Sequence, residues 1–521
     1  MRELCTGENV LFMDFYELTM AQLYFRYGLH TKNVQFDYFF RNYPDYGGHQ
    51  AGYCINAGLE WFIDWIRTVS FDNHAIELLR NRVGSNGSRI FSDDFLDYLR
   101  EVHFDSLHIK AVPEGRVIHP LEPVVIVNGE LCAAQLVESS LLNNLNYQIL
   151  IATKASRIYE AGNRRPVIEF GMRRAQHTGA NAGARAALIG GADYTSNTGF
   201  SLSAGLTPRG THAHSMIQLF LALGEGELEA FRAYASVYPD DCLLLVDTVN
   251  TLESGVPNAI KVFEELRKKG HRPAGIRLDS GDLAYLSVKA ARMLDKAGFE
   301  DTVIVLSNNI DEMVLLQVLR QVRDEAPLHG MDPQKIINRF VYGVGTKLIT
   351  SQGRSALDGV YKLAAVDNNG EWVPSFKISD SPGKTLIPGA KQVWRIYDRE
   401  NMAIDDLIGM EDEIPEKTES LIIHHPSNPD ISRIIERSEI SIIEPLLLDI
   451  LKDGKLNHEF EPLENLRSRR INDLQRLDPG VRRLINPHNY HVSLTENLWK
   501  LKKKLLSSMN FNIKHSPYMY T

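Results

Sequence analysis

The fold is decided by residues 242–282, CLLLVDTVNTLESGVPNAIKVFEELRKKGHRPAGIRLDSGD. A short apolar run, Cys242–Val246, precedes a stretch with helical periodicity, Leu252–Lys268, and a second apolar run, Ala274–Leu278. Short apolar runs that alternate with helices are typical of βαβ units, which build a parallel sheet. The alternation continues with a predicted helix at Leu283–Lys296, a strand at Val303–Leu306, a helix at Met313–Arg323 and a strand at Arg339–Tyr342.

The segments outside this region have a less regular pattern. Upstream, the sequence predicts helices at 14–28, Leu136–Arg157 and Ala180–Ile189, and strands at Gln35–Phe40, within 111–128 and at Val167–Phe170. Downstream, Ala364–Tyr397 is rich in β-forming residues, whereas the last 100 residues are charged and predicted to favour helices.

Composition narrows the class of protein. The 521 residues carry 57 Lys and Arg against 66 Asp and Glu, a net charge of -9, so no global basic field indicates a nucleic-acid partner. The four cysteines form no CxxC pair, which favours a reduced compartment and argues against a cysteine-rich zinc site. No apolar stretch reaches the roughly 18 residues that a membrane span needs. We therefore expect a cytoplasmic protein without a membrane partner.

Small, polar or acidic residues follow each of the four predicted strands. In α/β folds the carboxyl ends of the strands form the edge where ligands bind. One such loop is explained equally well by a helix cap, but four in register favour a shared site. The residues are Asp247-Thr248, Asp279-Ser280-Gly281-Asp282, Ser307-Asn308-Asn309 and Gly343-Val344-Gly345-Thr346.

The densest polar cluster is GTHAHS, residues 210–215, just before an apolar run predicted to be a helix. A histidine at a helix entrance lies beside unpaired N–H groups and the positive end of the helix dipole, which suits a phosphate. Such histidines are also common in hydrogen-bonded cores, so this alternative stays open for His212 and His214. A hydrolase metal site would need more imidazoles at later strand ends, and these ends offer only carboxylates.

Arginine and aromatic residues elsewhere in the sequence could also contact a ligand. Arg173, Arg174 and Arg277 could grip a carboxylate or phosphate, and Phe170 and Tyr16 could clamp a flat ring. The SPGKT segment at 381–385 lacks the first glycine of a phosphate loop, because position 378 is isoleucine. These residues indicate an α/β enzyme that acts on a phosphorylated, anionic small molecule.

The ordered motifs resemble the nicotinate phosphoribosyltransferase family, of the type II phosphoribosyltransferase fold, over nearly the whole chain. The matching segments are MDFYELTMAQ (13–22), FDYFFRNYP (36–44), EFGMRRAQ (169–176), GGADYTSN (190–197), GTHAHS (210–215), LLLVDTVNT (243–251), GIRLDSGDLAYLS (275–287), VLSNNID (305–311), YGVGTKLIT (342–350), PGAKQVWR (388–395) and LDPGVRRLINPHNY (477–490).

The resemblance implies a reaction and an architecture. Nicotinate and 5-phosphoribosyl 1-pyrophosphate would give nicotinate mononucleotide and pyrophosphate in NAD biosynthesis and salvage, with ATP hydrolysis coupled through a phosphohistidine. The implied fold is an irregular, TIM-like α/β barrel with a second α/β domain built from the N- and C-terminal segments, in a homodimer. We expect an N-terminal domain at 1–135, the barrel with the substrate site at 136–362, and at 363–521 a segment that completes the second domain and adds a helical extension.

The resemblance also assigns roles to residues. It places the phosphohistidine at His214, beside the catalytic carboxylates Asp247 and Asp279, while His212 occupies a variable position of the motif. Asp247 is the candidate to hold the imidazole of His214 in the tautomer that attacks the γ-phosphate, with a helix cap as its alternative role. The expected nicotinate contacts are Tyr16, Phe170, Thr195, Thr211 and Arg277. The expected phosphoribosyl pyrophosphate contacts are Arg41, Arg173, Ser280, Gly281, Ser307, Asn308, Gly343, Gly345 and Thr346. Mg²⁺ is expected to bind through ligand phosphates, with no protein ligand assigned, and ATP is a co-substrate.

Two alternatives remain at this point. The chain could transfer phosphoribose to nicotinamide or to another pyridine carboxylate, since the related nicotinamide enzyme uses an acid to accept amide N–H groups and Asp193 lies nearby in sequence. It could also be a scaffold that binds phosphoribosyl ligands without turnover, although such a protein has no need of an acceptor imidazole.

Overall fold

A computed structural model describes residues 9–376, 386–428 and 430–514, with side chains up to residue 508. The helices are α1 (Phe15–Arg26), α2 (Leu59–Thr68), α3 (Asn73–Arg80), α4 (Asp93–Arg100), α5 (Leu131–Gln135), α6 (Glu138–Ala161), α7 (His177–Gly190), α8 (Thr198–Ser203), α9 (His214–Ala222), α10 (Glu227–Val237), α11 (Val256–Lys268), α12 (Leu283–Lys296), α13 (Glu312–Glu325), α14 (Pro333–Ile337), α15 (Thr346–Ile349), α16 (Leu463–Gln475) and α17 (Glu496–Lys514).

Among the residues that the structure describes, eight strands lie in the first half of the chain and thirteen in the second. They are β1 (Asn33–Phe40), β2 (Cys54–Ile55), β3 (His108–Ala111), β4 (Val117–Ile118), β5 (Val125–Glu130), β6 (Val167–Glu169), β7 (Tyr194–Thr195), β8 (Leu243–Leu245), β9 (Gly275–Leu278), β10 (Val303–Ser307), β11 (Phe340–Val344), β12 (Gly359–Asn368), β13 (Glu371–Pro374), β14 (Lys391–Asp398), β15 (Ala403–Met410), β16 (Ser420–His424), β17 (Ser432–Glu436), β18 (Ile440–Pro445), β19 (Leu448–Lys452), β20 (Lys455–Leu456) and β21 (Val492–Thr495).

The chain divides into two compact units. One unit comprises residues 151–355, and the other joins residues 1–150 to residues 356–521. The second of these is therefore discontinuous in sequence, because the whole of the first unit is inserted between its two segments.

The inserted unit is built on a six-stranded parallel sheet in the order β7-β6-β11-β10-β9-β8. Parallel pairing aligns β10 with β9 and β11, so Leu306 lies beside both Leu278 and Tyr342. The strands are short and almost wholly buried, as expected where helices cover a parallel sheet. Carboxylate caps start two of the helices that follow strands, with Asp282 capping α12 and Asp311 capping α13.

The discontinuous unit contains two larger sheets. A seven-stranded antiparallel sheet has the order β13-β12-β1-β5-β3-β19-β20, in which β1 from the N-terminal segment pairs with β12 from the C-terminal segment. A six-stranded sheet, β17-β16-β21-β15-β14-β18, is drawn wholly from the C-terminal segment. The α/β fold class is confirmed, with a parallel-sheet unit and a second unit formed by both ends of the chain.

Neighbouring carboxylates of β15 lie in contrasting surroundings. Asp406 is paired with the buried guanidinium of Arg395, whose Nη2 lies 2.6 Å from its Oδ2. Asp405 accepts a hydrogen bond of 2.7 Å from the Ser493 hydroxyl, and its other oxygen has no hydrogen-bond partner among the described residues. Burial therefore raises the pKa of Asp405 to about 7, although the Ser493 hydroxyl opposes the shift.

One expectation about the C-terminal region is wrong. The last 100 residues were expected to favour helices, but most of residues 420–456 form β16 to β20, and the α-helices described in this region are Leu463–Gln475 and Glu496–Lys514. Adjacent isoleucines in β16, β17 and β18 explain the difference, because β-branched side chains favour strands over helices.

Two further expectations from the sequence concern a membrane-spanning helix and the SPGKT segment. No helix within residues 9–376, 386–428 and 430–514 is long and apolar enough to cross a membrane. The SPGKT segment, residues 381–385, lies outside the described residues.

Candidate active site

The imidazole of His214 lies among side chains that follow β8 and β9. His214 is the first residue of α9, and its side chain is partly exposed. Its Nδ1 is 3.0 Å from the hydroxyl of Thr248, while its Nε2 is 3.6 Å from Oδ2 of Asp279 and 3.9 Å from Oδ1 of Asp247. The structure thus brings together the three residues expected to be catalytic, at the carboxyl-terminal edge of the sheet.

Asp247 is held from one side and open on the other. Its Oδ2 accepts hydrogen bonds from the Ser280 hydroxyl and from the backbone N–H of Asp279. Its Oδ1 is buried and has no hydrogen-bond partner in the described part of the chain. Because an unsatisfied buried carboxylate oxygen is costly, this atom is a candidate to receive a cation or a donor from a ligand.

Arg277 connects the strand ends. Its Nε donates to the Ser307 hydroxyl at 2.8 Å, its Nη2 to Oδ1 of Asp279 at 2.9 Å, and its Nη1 to the Thr211 hydroxyl at 3.3 Å. Ser307 in turn donates to Oδ1 of Asp279. The fork of the guanidinium therefore fixes residues from three different loops, which a single ammonium group could not do.

An aromatic ring packs beside this guanidinium. The ring of Phe170 lies 5.2 Å from the Arg277 guanidinium carbon, and the Phe170 N–H donates to the carbonyl of Val344. A Cβ placed on Gly343 would come within 2.5 Å of the Phe170 ring. The absence of a side chain at Gly343 therefore allows the ring to pack against β11.

Thr195 has a different environment from the one expected. Its side chain is only 1% exposed, and its hydroxyl donates to Oε2 of Glu169 at 2.7 Å while accepting from the N–H of Asn197. Its single O–H is donated to Glu169, so it has no donor left for the nicotinate carboxylate, and its expected contact with nicotinate stays a prediction. Burial raises the pKa of Glu169, although hydrogen bonds from Thr195 and the Gly171 N–H oppose the shift.

The two histidines of the GTHAHS motif occupy separate environments. His212 is buried, and its Nε2 accepts a hydrogen bond of 3.1 Å from the N–H of Leu245 at the end of β8. Its ring also contacts the edge of Tyr234. Burial lowers the pKa of His212 to about 4, so at neutral pH it is an uncharged acceptor that ties the loop to β8. Among the histidines of this motif, only His214 faces the carboxylates.

Several residues after the strand ends have backbone conformations with positive φ values. Gly281 has φ +74, and Asn308 and Asn309 have φ 130 and 47, which are uncommon for residues with a side chain. Such conformations cluster at ligand sites, where the surrounding structure holds them. Gly345 and Thr346 mark the start of α15, and Arg173 lies on an exposed single turn, Met172–Arg174.

Two expected site residues belong to the other unit. Tyr16 lies on α1 and Arg41 directly follows β1, both in the discontinuous unit. Burial and the neighbouring carboxylate of Glu138 raise the pKa of Tyr16. Their expected contacts with substrate stay predictions.

Asp193 does not lie at the carboxyl end of its neighbouring strand. Its Oδ2 accepts a hydrogen bond of 2.9 Å from the N–H of Val167, the first residue of β6. The carboxylate is thus used at the amino end of β6, whereas Thr195 and Phe170 mark the carboxyl ends of β7 and β6. This placement removes the reason to regard Asp193 as an acceptor for an amide substrate.

Thr248 and Lys347 were not singled out from the sequence. Thr248 follows Asp247 directly, and its hydroxyl contacts the ring of His214, a role expected of Asp247. Lys347 pairs with Asp311 at 2.6 Å, beside the start of α13. The only available signal for Thr248 was its position in a strand-end loop, because a threonine after an aspartate is equally common at helix starts.

The carboxylates near His214 fit a hard cation held mainly by ligand phosphates. Oδ1 of Asp247 and Oδ2 of Asp279 are oxygen donors of the kind Mg²⁺ prefers, and the former lacks a partner. No group of three or more His, Cys, Asp or Glu is arranged to hold a metal by itself within the residues that the structure describes. The donor set thus suits a cation whose remaining ligands are water and phosphate oxygens.

Comparison with known proteins identifies the family. Three family models match along the chain: the nicotinate phosphoribosyltransferase N-terminal domain at residues 11–146, the family's central region at 166–403 and its C-terminal domain at 390–502. The nicotinate phosphoribosyltransferase of Bacillus subtilis is 36% identical over 505 residues, covering 96% of each chain. The chain belongs to the nicotinate phosphoribosyltransferase family.

Further members of the family are similar at greater distance. The nicotinate phosphoribosyltransferase of Caenorhabditis elegans is 32% identical and covers 94% of this chain and 92% of its own. The crystal structure of human nicotinic acid phosphoribosyltransferase superposes with a TM-score of 0.77 at 27% identity, covering 95% of this chain and all of that one. The resemblance found in the sequence motifs is confirmed over nearly the full length.

Proposed function

We propose that this chain joins nicotinate to 5-phosphoribosyl 1-pyrophosphate, forming nicotinate mononucleotide and pyrophosphate, and that ATP hydrolysis drives the reaction through a phosphorylated His214. The observation that carries the proposal is the cluster at the sheet edge, where Nε2 of His214 lies within 4 Å of both Asp247 and Asp279. Family membership supports the assignment of the transfer reaction.

The chemistry of the transfer explains the residue types present. Breaking the anomeric C–O bond develops positive charge on the ribose and negative charge on the departing pyrophosphate. Asp279, fixed by Arg277 and Ser307, is positioned to stabilise the ribose or to bind metal-bound water. Backbone N–H groups at Ser280–Gly281, Asn308 and Gly343–Thr346 are proposed to hold phosphate oxygens.

Magnesium is proposed to act with these residues. When bound, Mg²⁺ would neutralise phosphate charge, and the open oxygens of Asp247 and Asp279 are the protein groups suited to hold it or its water ligands. Both carboxylates also form hydrogen bonds within the protein, because Asp247 accepts one from Ser280 and Asp279 accepts one from Arg277.

The nicotinate carboxylate is proposed to bind beside Arg277 and Thr211, with the pyridine ring against Phe170. Arg277 is 14% exposed and lies over the Phe170 ring, so a flat anion in this position would meet both a cation and an aromatic face. The carboxylate of Asp193, used at the amino end of β6, does not favour an amide substrate.

A product assay tests the proposal directly. Purified enzyme is incubated with Mg²⁺ and 5-phosphoribosyl 1-pyrophosphate together with nicotinate, nicotinamide or quinolinate, with and without ATP, and mononucleotide products are measured by chromatography. We expect the fastest conversion with nicotinate and a clear increase with ATP. Faster conversion of nicotinamide would contradict the substrate assignment, and binding without any product would favour the scaffold alternative.

We further propose a cytoplasmic homodimer with the catalytic residues in the domain predicted at 136–362. The absence of any CxxC pair among the four cysteines of the sequence supports a reducing compartment. The dimer is an inference from the family.

A further inference from the structure

The hydroxyl of Thr248 is the group that contacts the ring of His214. Thr248 lies three residues after the end of β8, and its Oγ1 is 3.0 Å from Nδ1 of His214, a normal hydrogen-bond distance. The contact joins the first residue of α9 to the loop after β8, and both elements belong to the same unit. The orientation of the imidazole is thus set at Nδ1.

The opposite edge of the ring, at Nε2, makes no hydrogen bond to any residue in the described part of the chain. Oδ2 of Asp279 and Oδ1 of Asp247 lie 3.6 and 3.9 Å from Nε2, which is too far for a hydrogen bond. The other oxygen of each carboxylate is already engaged, by Arg277 and Ser307 for Asp279 and by Ser280 for Asp247. Nε2 therefore faces the two carboxylate oxygens that remain open to a cation and its phosphate ligands.

We propose that Thr248 is a positioning residue, which accepts the Nδ1–H hydrogen bond of His214 and so presents the Nε2 lone pair as the phosphoryl acceptor. The inference rests on the proposed function, because it specifies how His214 takes part in ATP coupling. Neither Asp247 nor His212 fills this role, since Asp247 lies on the Nε2 side and His212 binds the Leu245 N–H.

The step balances without any further reactant. The Nε2 lone pair attacks the γ-phosphorus of ATP, the Nε2–P bond forms, and the bond from phosphorus to the β,γ-bridging oxygen breaks. ADP leaves with that electron pair. Nδ1 keeps its proton, hydrogen-bonded to Oγ1 of Thr248, so the ring carries positive charge and remains a good leaving group when the phosphoryl group is passed on.

The opposite direction of the hydrogen bond between Thr248 and His214 predicts phosphorylation at the other ring nitrogen. If Thr248 instead donated to Nδ1, the proton of the neutral ring would lie on Nε2 between two carboxylates, and Nε2 would have no lone pair to attack with. Acceptance at Nδ1 would require the hydrogen bond to Thr248 to break first. The ring nitrogen that carries the phosphoryl group therefore distinguishes the arrangements.

The test combines one measurement on the unmodified enzyme with variants. Wild-type enzyme is phosphorylated with Mg²⁺-ATP, and the phosphohistidine isomer is determined by ³¹P NMR. Thr248→Val, which keeps the shape but removes the hydroxyl, is compared with Thr248→Ser, which restores it. Thr68→Val serves as the matched control, because the hydroxyl of Thr68 bonds only to carbonyls of its own helix, α2.

We expect Nε2-phosphohistidine in the wild type. Thr248→Val should form phosphoenzyme about tenfold more slowly, with the ATP-independent rate of mononucleotide formation unchanged and Thr248→Ser close to wild type. A purely structural role would instead lower both rates together. Circular dichroism establishes that each variant is folded, and the isomer measurement needs no variant.

Several results would overturn the inference. An Nδ1-phosphohistidine in the wild type would show that Nε2 is not the phosphoryl acceptor. An unchanged phosphorylation rate in Thr248→Val would show that the hydroxyl of Thr248 does not position the ring. Equal losses of ATP-dependent and ATP-independent rates in Thr248→Val also contradict it. A wild type that forms no phosphohistidine overturns the proposed ATP coupling itself, which separates failure of the function from failure of the assignment to Thr248.

Discussion

At the scale of single residues, Arg277 connects three polar residues of the site. Three different nitrogens of its guanidinium reach Ser307, Asp279 and Thr211. A lysine at this position carries the same charge but donates from a single nitrogen, so it cannot reproduce the fork.

We therefore predict that Arg277→Lys raises the KM for nicotinate about 10- to 100-fold, because a hydrogen bond to a charged group contributes about 1.5–3 kcal/mol. Steady-state kinetics with varied nicotinate measure the change. Arg320→Lys is the control, since Arg320 is exposed on α13. An unchanged KM in Arg277→Lys would show that the nicotinate carboxylate binds elsewhere.

His214 gives the second prediction. His214→Ala removes the proposed phosphoryl acceptor but leaves Arg277, Asp279 and their contacts in place. We expect loss of the stimulation by ATP, with the ATP-independent formation of mononucleotide retained. His212→Gln is a useful companion, because it keeps an acceptor for the Leu245 N–H and should keep the ATP response. Stimulation by ATP that survives in His214→Ala would refute the assignment of this imidazole.

Much of the site could be predicted from the sequence, and the exceptions have physical reasons. Residues at the carboxyl ends of parallel strands must converge, so the proximity of Asp247 and Asp279 followed from periodicity and order, whereas the place of His214 beside them came from the family resemblance. The direction in which each side chain points could not be predicted from periodicity. Thr195 points into the interior toward Glu169, and Thr248 contacts the ring expected to contact Asp247, because such choices depend on loop geometry.

At the scale of secondary-structure elements, the close approach of β11 and the Phe170 ring is testable. Gly343→Ala places a methyl group within 2.5 Å of that ring, so the ring or the strand must shift. We predict an increase in the KM for nicotinate with a modest loss of stability, measured by kinetics and thermal unfolding. Gly179→Ala is the control, because a Cβ there meets nothing within 4 Å and α7 should gain slightly from alanine. Unaltered kinetics in Gly343→Ala would mean that Phe170 does not contact the substrate.

Strand β15 predicts a pH dependence of stability. Burial raises the pKa of Asp405 to about 7 from its ordinary value of 3.8, so the folded state binds the proton more tightly than the unfolded state. The stability from this group is complete at pH values below about 4 and falls as the pH rises through 7.

Asp405→Asn removes this titration. We predict that the variant gains stability relative to wild type between pH 5 and pH 8 by more than about 1 kcal/mol, since one pKa unit corresponds to about 1.4 kcal/mol. Urea unfolding at both pH values measures the difference. The exposed Asp412→Asn provides the control. A stability difference that does not change with pH would contradict the raised pKa.

The elements themselves differed in how well the sequence predicted them. Helix α12 was predicted at Leu283–Lys296, its observed bounds, because a strand, a capping aspartate and a clear helical period all agree there. The strands within residues 432–456 were not predicted, because the charged residues of this segment resemble those on the solvated face of a helix. Their short antiparallel strands depend on pairing with residues distant in sequence, as β18 does with β14.

At the scale of the whole molecule, oligomeric state is the prediction to test. The family resemblance implies a homodimer, so light scattering coupled to size-exclusion chromatography should give twice the chain mass of 58.9 kDa. Catalase or another protein of known mass calibrates the measurement. A fully active species with the mass of a single chain would contradict the dimer.

The insertion of one unit into the other has a consequence for synthesis on the ribosome. Strand β1 emerges early, but its partner β12 follows only after residues 151–355 have been made. At about 5–20 residues per second, translation of that insertion takes roughly 10 to 40 seconds. During this interval the edge of β1 that β12 later covers lacks its partner strand, whereas the inserted unit needs no residue beyond position 355 to complete it. Chaperones that shield a waiting strand should therefore improve the yield of this protein more than those that act after release.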